Sequence, residues 1–299
     1  MNDLPPLQIA AASDTGRSRS ENQDFAYAGP LPGAEDWQLL AVADGVGGHA
    51  RGEWASQRAI EVLAASLGDL LGQFGPAEAL ERAATMANTT VNREAASIGA
   101  PGAATTLVAA LVRGYEAWWL NIGDSRIYRF SAAGLEQVSA DHSWVAEQVR
   151  SGQLSAEDAR HHGRRNVVTR TVGFDASVSP DGGGPITLEE GDALLLCSDG
   201  LHGPVDDARI AATIAELDPQ FAVSRLVELA NEAGGPDNIT AVIARRGATP
   251  AAPAATNVVD TVEREEPQTR RSRKRFVLAL ALGTVVVGSA VAAVAYFLL

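Results

Sequence analysis

The sequence predicts an α+β domain, and three observations predict it. Short apolar runs bounded by Gly, Asp or Asn have the length and punctuation of strands. Longer stretches repeat apolar residues at helical spacing. Strands come in runs and helices come in pairs, which argues for stacked layers instead of regular βαβ alternation. A hydrophobic fraction of 46% over 299 residues is enough for a sizeable core.

In chain order, strands are expected at Leu7–Ala12 and Gln38–Ala43, followed by helices at Ala50–Leu67 and Ala77–Ile98. A run of strands comes next, at Thr105–Val112, Ala117–Ile122 and Arg126–Phe130, then a short helix at Ser143–Ser151. Strand Ala193–Cys197, helices Ala208–Leu217 and Phe221–Ala233, and strand Thr240–Ala244 complete the body, which is taken as residues 1–246. No internal repeat is present.

Through Arg246 there are 18 Arg and no Lys against 33 Asp plus Glu, a balance of −15. A nucleic-acid ligand is excluded, because binding it needs a basic face. The lone Cys197 excludes an internal disulfide or a Cys-rich zinc site and reads as core filler in a reducing compartment. Met1–Leu7 lacks the basic start and apolar stretch of an export signal. The other end differs: Phe276–Leu299 is 24 residues without a charge, which as a helix reaches roughly 36 Å, enough for a bilayer core of about 30 Å. The basic run Arg270–Arg275 just before it predicts a tail-anchored transmembrane helix at the cytoplasmic (inner) membrane, with the body facing the cytosol. Residues 247–275, rich in Ala, Pro, Thr and Glu, read as a disordered linker. The stripe Thr284, Gly288, Ala292 is too common in such spans to argue for pairing.

Five acidic stations stand at strand ends: Asp24, Asp44 in Asp44-Gly45-Val46-Gly47-Gly48-His49, Asp124, Asp199 and Asp237. Each alone reads most simply as a turn. Jointly, carboxylates remote in sequence but fixed at strand ends can converge, and oxygen-only clusters favour hard cations such as Mn2+ or Mg2+. The glycines after Asp44 allow a sharp turn that can present a main-chain carbonyl as well, so Asp44 is the candidate bridging ligand.

These stations, with Arg19-Ser20-Glu21-Asn22-Gln23-Asp24, Ala104-Thr105-Thr106-Leu107, Gly123-Asp124-Ser125-Arg126, Asp141-His142-Ser143, Arg170-Thr171-Val172-Gly173, Cys197-Ser198-Asp199-Gly200-Leu201 and Asp237-Asn238-Ile239-Thr240, resemble the metal-dependent serine/threonine protein phosphatases of the 2C (PPM) type in their bacterial form. The matches run in family order from about Ala12 to Ala244. The resemblance implies a four-layer α-β-β-α sandwich, two antiparallel sheets flanked by helices, with a metal site at one edge. It implies that Asp44 bridges two ions, that the Gly45 carbonyl and Asp237 complete one and Asp199 the other. Asp24 would act through water, and Asp124 would help hold a weaker third ion. Two such cations lower the pKa of a water between them and neutralise phosphoryl charge, so no protein nucleophile is needed. Arg19 falls at the family's phosphate-gripping arginine, with Arg17 the competing candidate.

Two departures bear on mechanism. Gln23 stands where many relatives carry a carboxylate, and Val46 occupies the position of the eukaryotic leaving-group histidine. The general acid is therefore unassigned; His49 is near enough in sequence to be considered, yet a His in a Gly-rich turn more often ties down its loop. Ser143–Gly173 is implied to be a flap beside the metal site, and adjacent His161-His162 without partners at ligand spacing are weak evidence for zinc. The expected activity is hydrolysis of phosphoserine and phosphothreonine in proteins, opposing a bacterial Ser/Thr kinase. The rivals are a silent phosphoprotein-binding scaffold of the same fold, or a phosphatase for an anti-sigma-type switch protein.

Overall fold

Strands that are apolar on both faces need cover on both sides, and the chain supplies it in layers. The computed structural model describes residues 7–46 and 51–247. Gly47, Gly48 and His49 lie outside the described residues, as do all but the first residue of the expected linker, the basic run and the span Phe276–Leu299. No described helix is long and apolar enough to cross a membrane.

The described strands are β1 (Leu7–Asp14), β2 (Asp24–Leu31), β3 (Ala34–Val46), β4 (Ala104–Thr105), β5 (Leu107–Arg113), β6 (Glu116–Ile122), β7 (Arg126–Ser131), β8 (Gly134–Gln137), β9 (Asp181–Thr187), β10 (Ala193–Cys197) and β11 (Ile239–Arg246). The helices are α1 (Arg51–Leu71), α2 (Pro76–Ser97), α3 (Trp144–Arg150), α4 (Ala156–His161), α5 (Asp199–His202), α6 (Asp207–Glu216) and α7 (Pro219–Glu232). One antiparallel sheet has the order β1-β11-β10-β7-β8; the other has β2-β3-β5-β6-β9, with β4 paired to β3.

Side chains alternate across a strand, and the alternation sorts each central strand between two cores. In β3, Leu40 and Val42 join Leu194 and Leu196 of β10 and Val242 and Ala244 of β11 in the core between the sheets. Leu39, Ala41 and Ala43 point the other way, into a core with Ile60, Leu63 and Leu67 of α1 and Leu80 and Val91 of α2. Leu195 and Ile243 likewise meet Ile210 of α6 and Leu226 of α7. Helices thus cover both outer faces, and the expected α-β-β-α order is observed for the described residues. Cys197 is fully buried in the α6/α7 core, and burial pushes its thiol up to about 12.

Three strands were not expected from the sequence, β2, β8 and β9. Both β2 (DFAYAGPL) and β9 (DGGGPIT) contain Gly and Pro, which weaken a strand signal, and both are edge strands, where Pro is tolerated. The run expected as one strand over Thr105–Val112 is broken at Thr106. There the Asp44 carbonyl accepts from Thr106 N–H and from the Thr105 hydroxyl, both at 2.9 Å.

Candidate metal centre

The pleat that builds the inter-sheet core also builds the site. Along the inward-facing positions of β2 and β3, apolar residues give way to carboxylates at one end: Asp24 lies opposite Asp44 in register, after Ala26 opposite Val42. In β5, β10 and β11, continuing the same parity outward from Val108, Leu196 and Val242 gives Thr106, Ser198 and Thr240, all buried. One edge of the sandwich is therefore lined by hydroxyls and carboxylates where the rest of the interior is aliphatic.

Those groups hold one another. Asp24 is 7% exposed, and its Oδ2 accepts from Ser198 Oγ at 2.7 Å. Ser198 Oγ in turn accepts from Thr240 N–H at 3.0 Å. Asp44 N–H donates to Thr106 Oγ1 at 2.9 Å, and Thr106 shares a 2.7 Å hydrogen bond with Ser125. Asp44 lies within β3, two residues before its end, not after the strand as the sequence suggested. Asp199 opens α5 directly after β10, and Asp237 sits two residues before β11 starts, so the two reach the same edge from opposite chain directions.

Glycines permit the close approach. A Cβ on Gly200 would lie 1.9 Å from the Asn238 carbonyl oxygen, and one on Gly45 would lie 2.2 Å from the Gly52 carbonyl oxygen. Gly200 thus lets the loop carrying Asp237 press against the segment carrying Asp199. Gly45 lets β3 pass the start of α1, where its N–H donates to Gln23 O at 3.1 Å.

The buried Asn238, outside the expected site set, ties the arginine loop down. Its Nδ2 donates to Thr15 O at 2.9 Å and Glu21 O at 2.8 Å, while its Oδ1 accepts from Gln23 N–H at 2.8 Å. On that loop Arg19 Nη2 meets Asp237 Oδ2 at 2.8 Å. Arg17 uses its main-chain N–H on Gly235 O, and its charge acts on Asp14. Arg19, not Arg17, is the arginine the structure brings to the carboxylates.

Burial and mutual repulsion disfavour ionisation throughout the cluster. Burial first, and then the charges of Asp199 and Asp237, raise Asp24 to about 7 despite its Ser198 bond. Asp44 is pushed well up by burial and by Asp24, Asp199, Asp124 and Asp237. Burial and Asp199 raise Asp124 to about 7; burial and Asp237 raise Asp199 to about 6, against a hydrogen bond from Asp44. Five carboxylates from segments up to 213 residues apart are neighbours. Among the described residues no group of three or more His, Cys, Asp or Glu side chains is placed close enough to hold a metal ion together. The donor set nevertheless fits a hard divalent cation: the buried Oδ1 atoms of Asp24 and Asp199 have no hydrogen-bond partner, and every side-chain donor is oxygen.

Two histidines near the site are already committed. His142 Nδ1 accepts from Gly123 N–H at 3.1 Å, which leaves Nε2 to donate to Asp181 at 3.0 Å. His202 Nε2 donates to the Asp124 carbonyl at 3.0 Å, and burial lowers its pKa to about 3. The expected flap carries α3 and α4, and His162 stacks on Trp144 with ring centroids 4.8 Å apart. That contact accounts for His162 without zinc.

The family profile described as Protein phosphatase 2C matches residues 16–233, nearly the whole described body. The chain belongs to the protein phosphatase 2C family. It is 37% identical over 246 residues to the serine/threonine protein phosphatase PstP of Mycobacterium tuberculosis, an alignment covering 80% of this chain but only 45% of that protein. The serine/threonine phosphatase stp of Listeria monocytogenes is 33% identical, with 79% of this chain and 95% of that one covered. A crystal structure of the catalytic domain of PstP in complex with two manganese ions superposes with a TM-score of 0.69 at 34% identity, covering 81% of this chain and 99% of that one.

Proposed function

We propose that this protein phosphatase 2C member hydrolyses phosphoserine and phosphothreonine in proteins at a dinuclear Mn2+ or Mg2+ site. The observation carrying the reading is the convergence of buried carboxylates, with unpartnered oxygens on Asp24 and Asp199, at one edge of the sandwich. Buried like charges that raise one another are costly unless a cation offsets them.

Asp44 would bridge two ions, the Gly45 carbonyl and Asp237 would serve one and Asp199 the other. Asp24 would act through water and Asp124 on a weaker third ion. When bound, the ions would supply an acidified water and neutralise phosphoryl charge. The chain's own groups position the rest. Thr106 fixes the Asp44 main chain, Ser198 orients Asp24, and Asn238 sets the loop that presents Arg19. Arg19 is half-exposed, and an exposed ion pair such as Arg19–Asp237 contributes about 0–1 kcal/mol at most. Its guanidinium is free to turn to a phosphoryl group, whose oxygens its planar fork can hold two at a time. His142 and His202 are spent on structure, so neither is assigned as leaving-group acid.

The uncharged segment 276–299 and the basic run before it support tethering at the cytoplasmic membrane face; the opposing activity would be a Ser/Thr kinase. The purified full chain should release phosphate from a phosphothreonine peptide with Mn2+ or Mg2+ and not with EDTA. Absence of turnover with bound metal demonstrated would refute the reading.

A further inference from the structure

One buried residue, His142, grips the turn that carries Asp124. Gly123 has a φ of +111°, and a Cβ there would lie 2.7 Å from Thr106 Cβ, so the turn is pressed against the residue that fixes the Asp44 main chain. Both polar main-chain atoms of Gly123 meet His142: the N–H donates to Nδ1 at 3.1 Å, and the carbonyl accepts from His142 N–H at 2.9 Å. The other polar atoms of His142 face the flap. Its carbonyl accepts from Thr169 N–H at 2.8 Å, and its Nε2 lies 3.0 Å from Asp181 Oδ2. Asp181 opens β9, and its Oδ1 accepts from Arg170 Nη1 at 2.9 Å. Thr169 and Arg170 lie on the returning limb of the flap, which also pairs Val168 with Ser143. His142 is 1% exposed, and its polar atoms divide evenly between the Asp124 turn and the flap side.

The partners fix the ring's proton. Gly123 N–H is a donor, so Nδ1 is bare and the proton sits on Nε2. Arg170 Nη1 stands 3.2 Å from that nitrogen. Two donors cannot satisfy each other, so Asp181 is the acceptor that lets both point inward. Without Asp181 the arginine would face Nε2 alone and favour the form with Nε2 bare and the proton on Nδ1. Nδ1–H would then confront Gly123 N–H, and the grip on the turn would open.

We propose that His142 is a positioning residue for Asp124, held by Asp181 and Arg170, and that through it the flap sets where the Asp124 carboxylate stands. This rests on the reading of Asp124 as a ligand of the weaker third ion. Coupling between two sites is reciprocal, so an occupant of the flap changes the hold on that ion, and the ion changes the hold on the occupant. The Arg170 and Asp181 side chains are 39% and 44% exposed, so a protein docked on the flap can reach the lock.

The test uses the detergent-solubilised full chain and its Asp181→Ala variant, which removes a partly exposed side chain and leaves no closed cavity. Two-bond 1H–15N spectra of the metal-free chain, with the His142 signals assigned by their loss in His142→Gln, should place the ring proton on Nε2 in the parent and on Nδ1 in Asp181→Ala. In calorimetric titration the most weakly bound Mn2+ should lose about tenfold in affinity in Asp181→Ala, the low end of the cost of losing an outer-shell partner. Adding Asp181→Ala to Asp124→Ala should leave Mn2+ binding unchanged, because the two changes act on one ligand. An unchanged tautomer, a parent without a weak Mn2+ site, a weak site unaffected by Asp181→Ala, or a loss that persists in the Asp124→Ala background would each overturn the proposal; the last is what a merely structural role gives. The phosphatase reading stands through all four and fails on a different result, a parent chain that binds Mn2+ yet releases no phosphate from a phosphothreonine peptide.

Discussion

Asp24 owes its orientation to a residue 174 positions away, because its 2.7 Å bond to Ser198 Oγ is the hydrogen bond that fixes the carboxylate end. In the proposed site Asp24 would act through water, and disturbing such an outer-shell group typically costs 10–100-fold in metal affinity. Ser198→Ala should accordingly weaken Mn2+ binding by about 10–100-fold in a calorimetric titration, while an unchanged affinity would deny Ser198 that role. Arg19 and Arg17 separate in the same way. Arg19→Ala should raise KM for a phosphothreonine peptide by roughly tenfold, the loss of about 1.4 kcal/mol of binding, and Arg17→Ala should leave it nearly unchanged. At this scale Asp44, Asp124, Asp199 and Asp237 were legible because each stands beside Gly, Ser or Asn at one end of an apolar run, whereas Asp24, between Gln23 and Phe25, was legible only within the longer motif from Arg19. Ser198, Thr106, Thr240 and Asn238 were not, since hydroxyls and amides are common at strand ends. Extending the apolar alternation of β5, β10 and β11 by one more inward position would have found the three hydroxyls.

Strands deliver the site, and glycines let them meet. Gly200→Ala places a Cβ 1.9 Å from the Asn238 carbonyl oxygen, so backbone must move; a cost of about 1–3 kcal/mol and weaker Mn2+ binding are expected from denaturation and titration. Gly163→Ala meets nothing within 4 Å and should stay within about 0.5 kcal/mol of the parent. Equal behaviour of the two variants would contradict the close approach. The central strands were readable because burial on both faces leaves a continuous apolar run, as in Leu39–Ala43 and Ala193–Cys197. The edge strands β2 and β9 were not, because Gly and Pro imitate a loop there. In β9 the glycines have a further use: a Cβ on Gly183 would lie 3.2 Å from Trp119 Nε1, so the bare backbone lets this strand lie against the indole.

For the whole molecule, the carboxylate cluster couples stability to protons and metal. Asp24 and Asp124 near 7 and Asp199 near 6 all stand above their ordinary 3.8, so the metal-free folded state binds more protons than the unfolded one through that range. This contribution is fully present below about pH 4 and is lost as pH rises through 6 to 7. Metal binding needs the ionised carboxylates and gains affinity over the same window. The increase in Tm produced by Mn2+ over EDTA should therefore be larger at pH 7.5 than at pH 5; an increase that is flat or reversed with pH would disagree. The layered fold was predictable from the order of motifs. The most direct measurement of the central claim is anomalous diffraction at the manganese edge from crystals grown with Mn2+. Two peaks bridged by Asp44, one also touching Asp237 and the other Asp199, are the expected result, and no peak within ligand distance of Asp44 would contradict it.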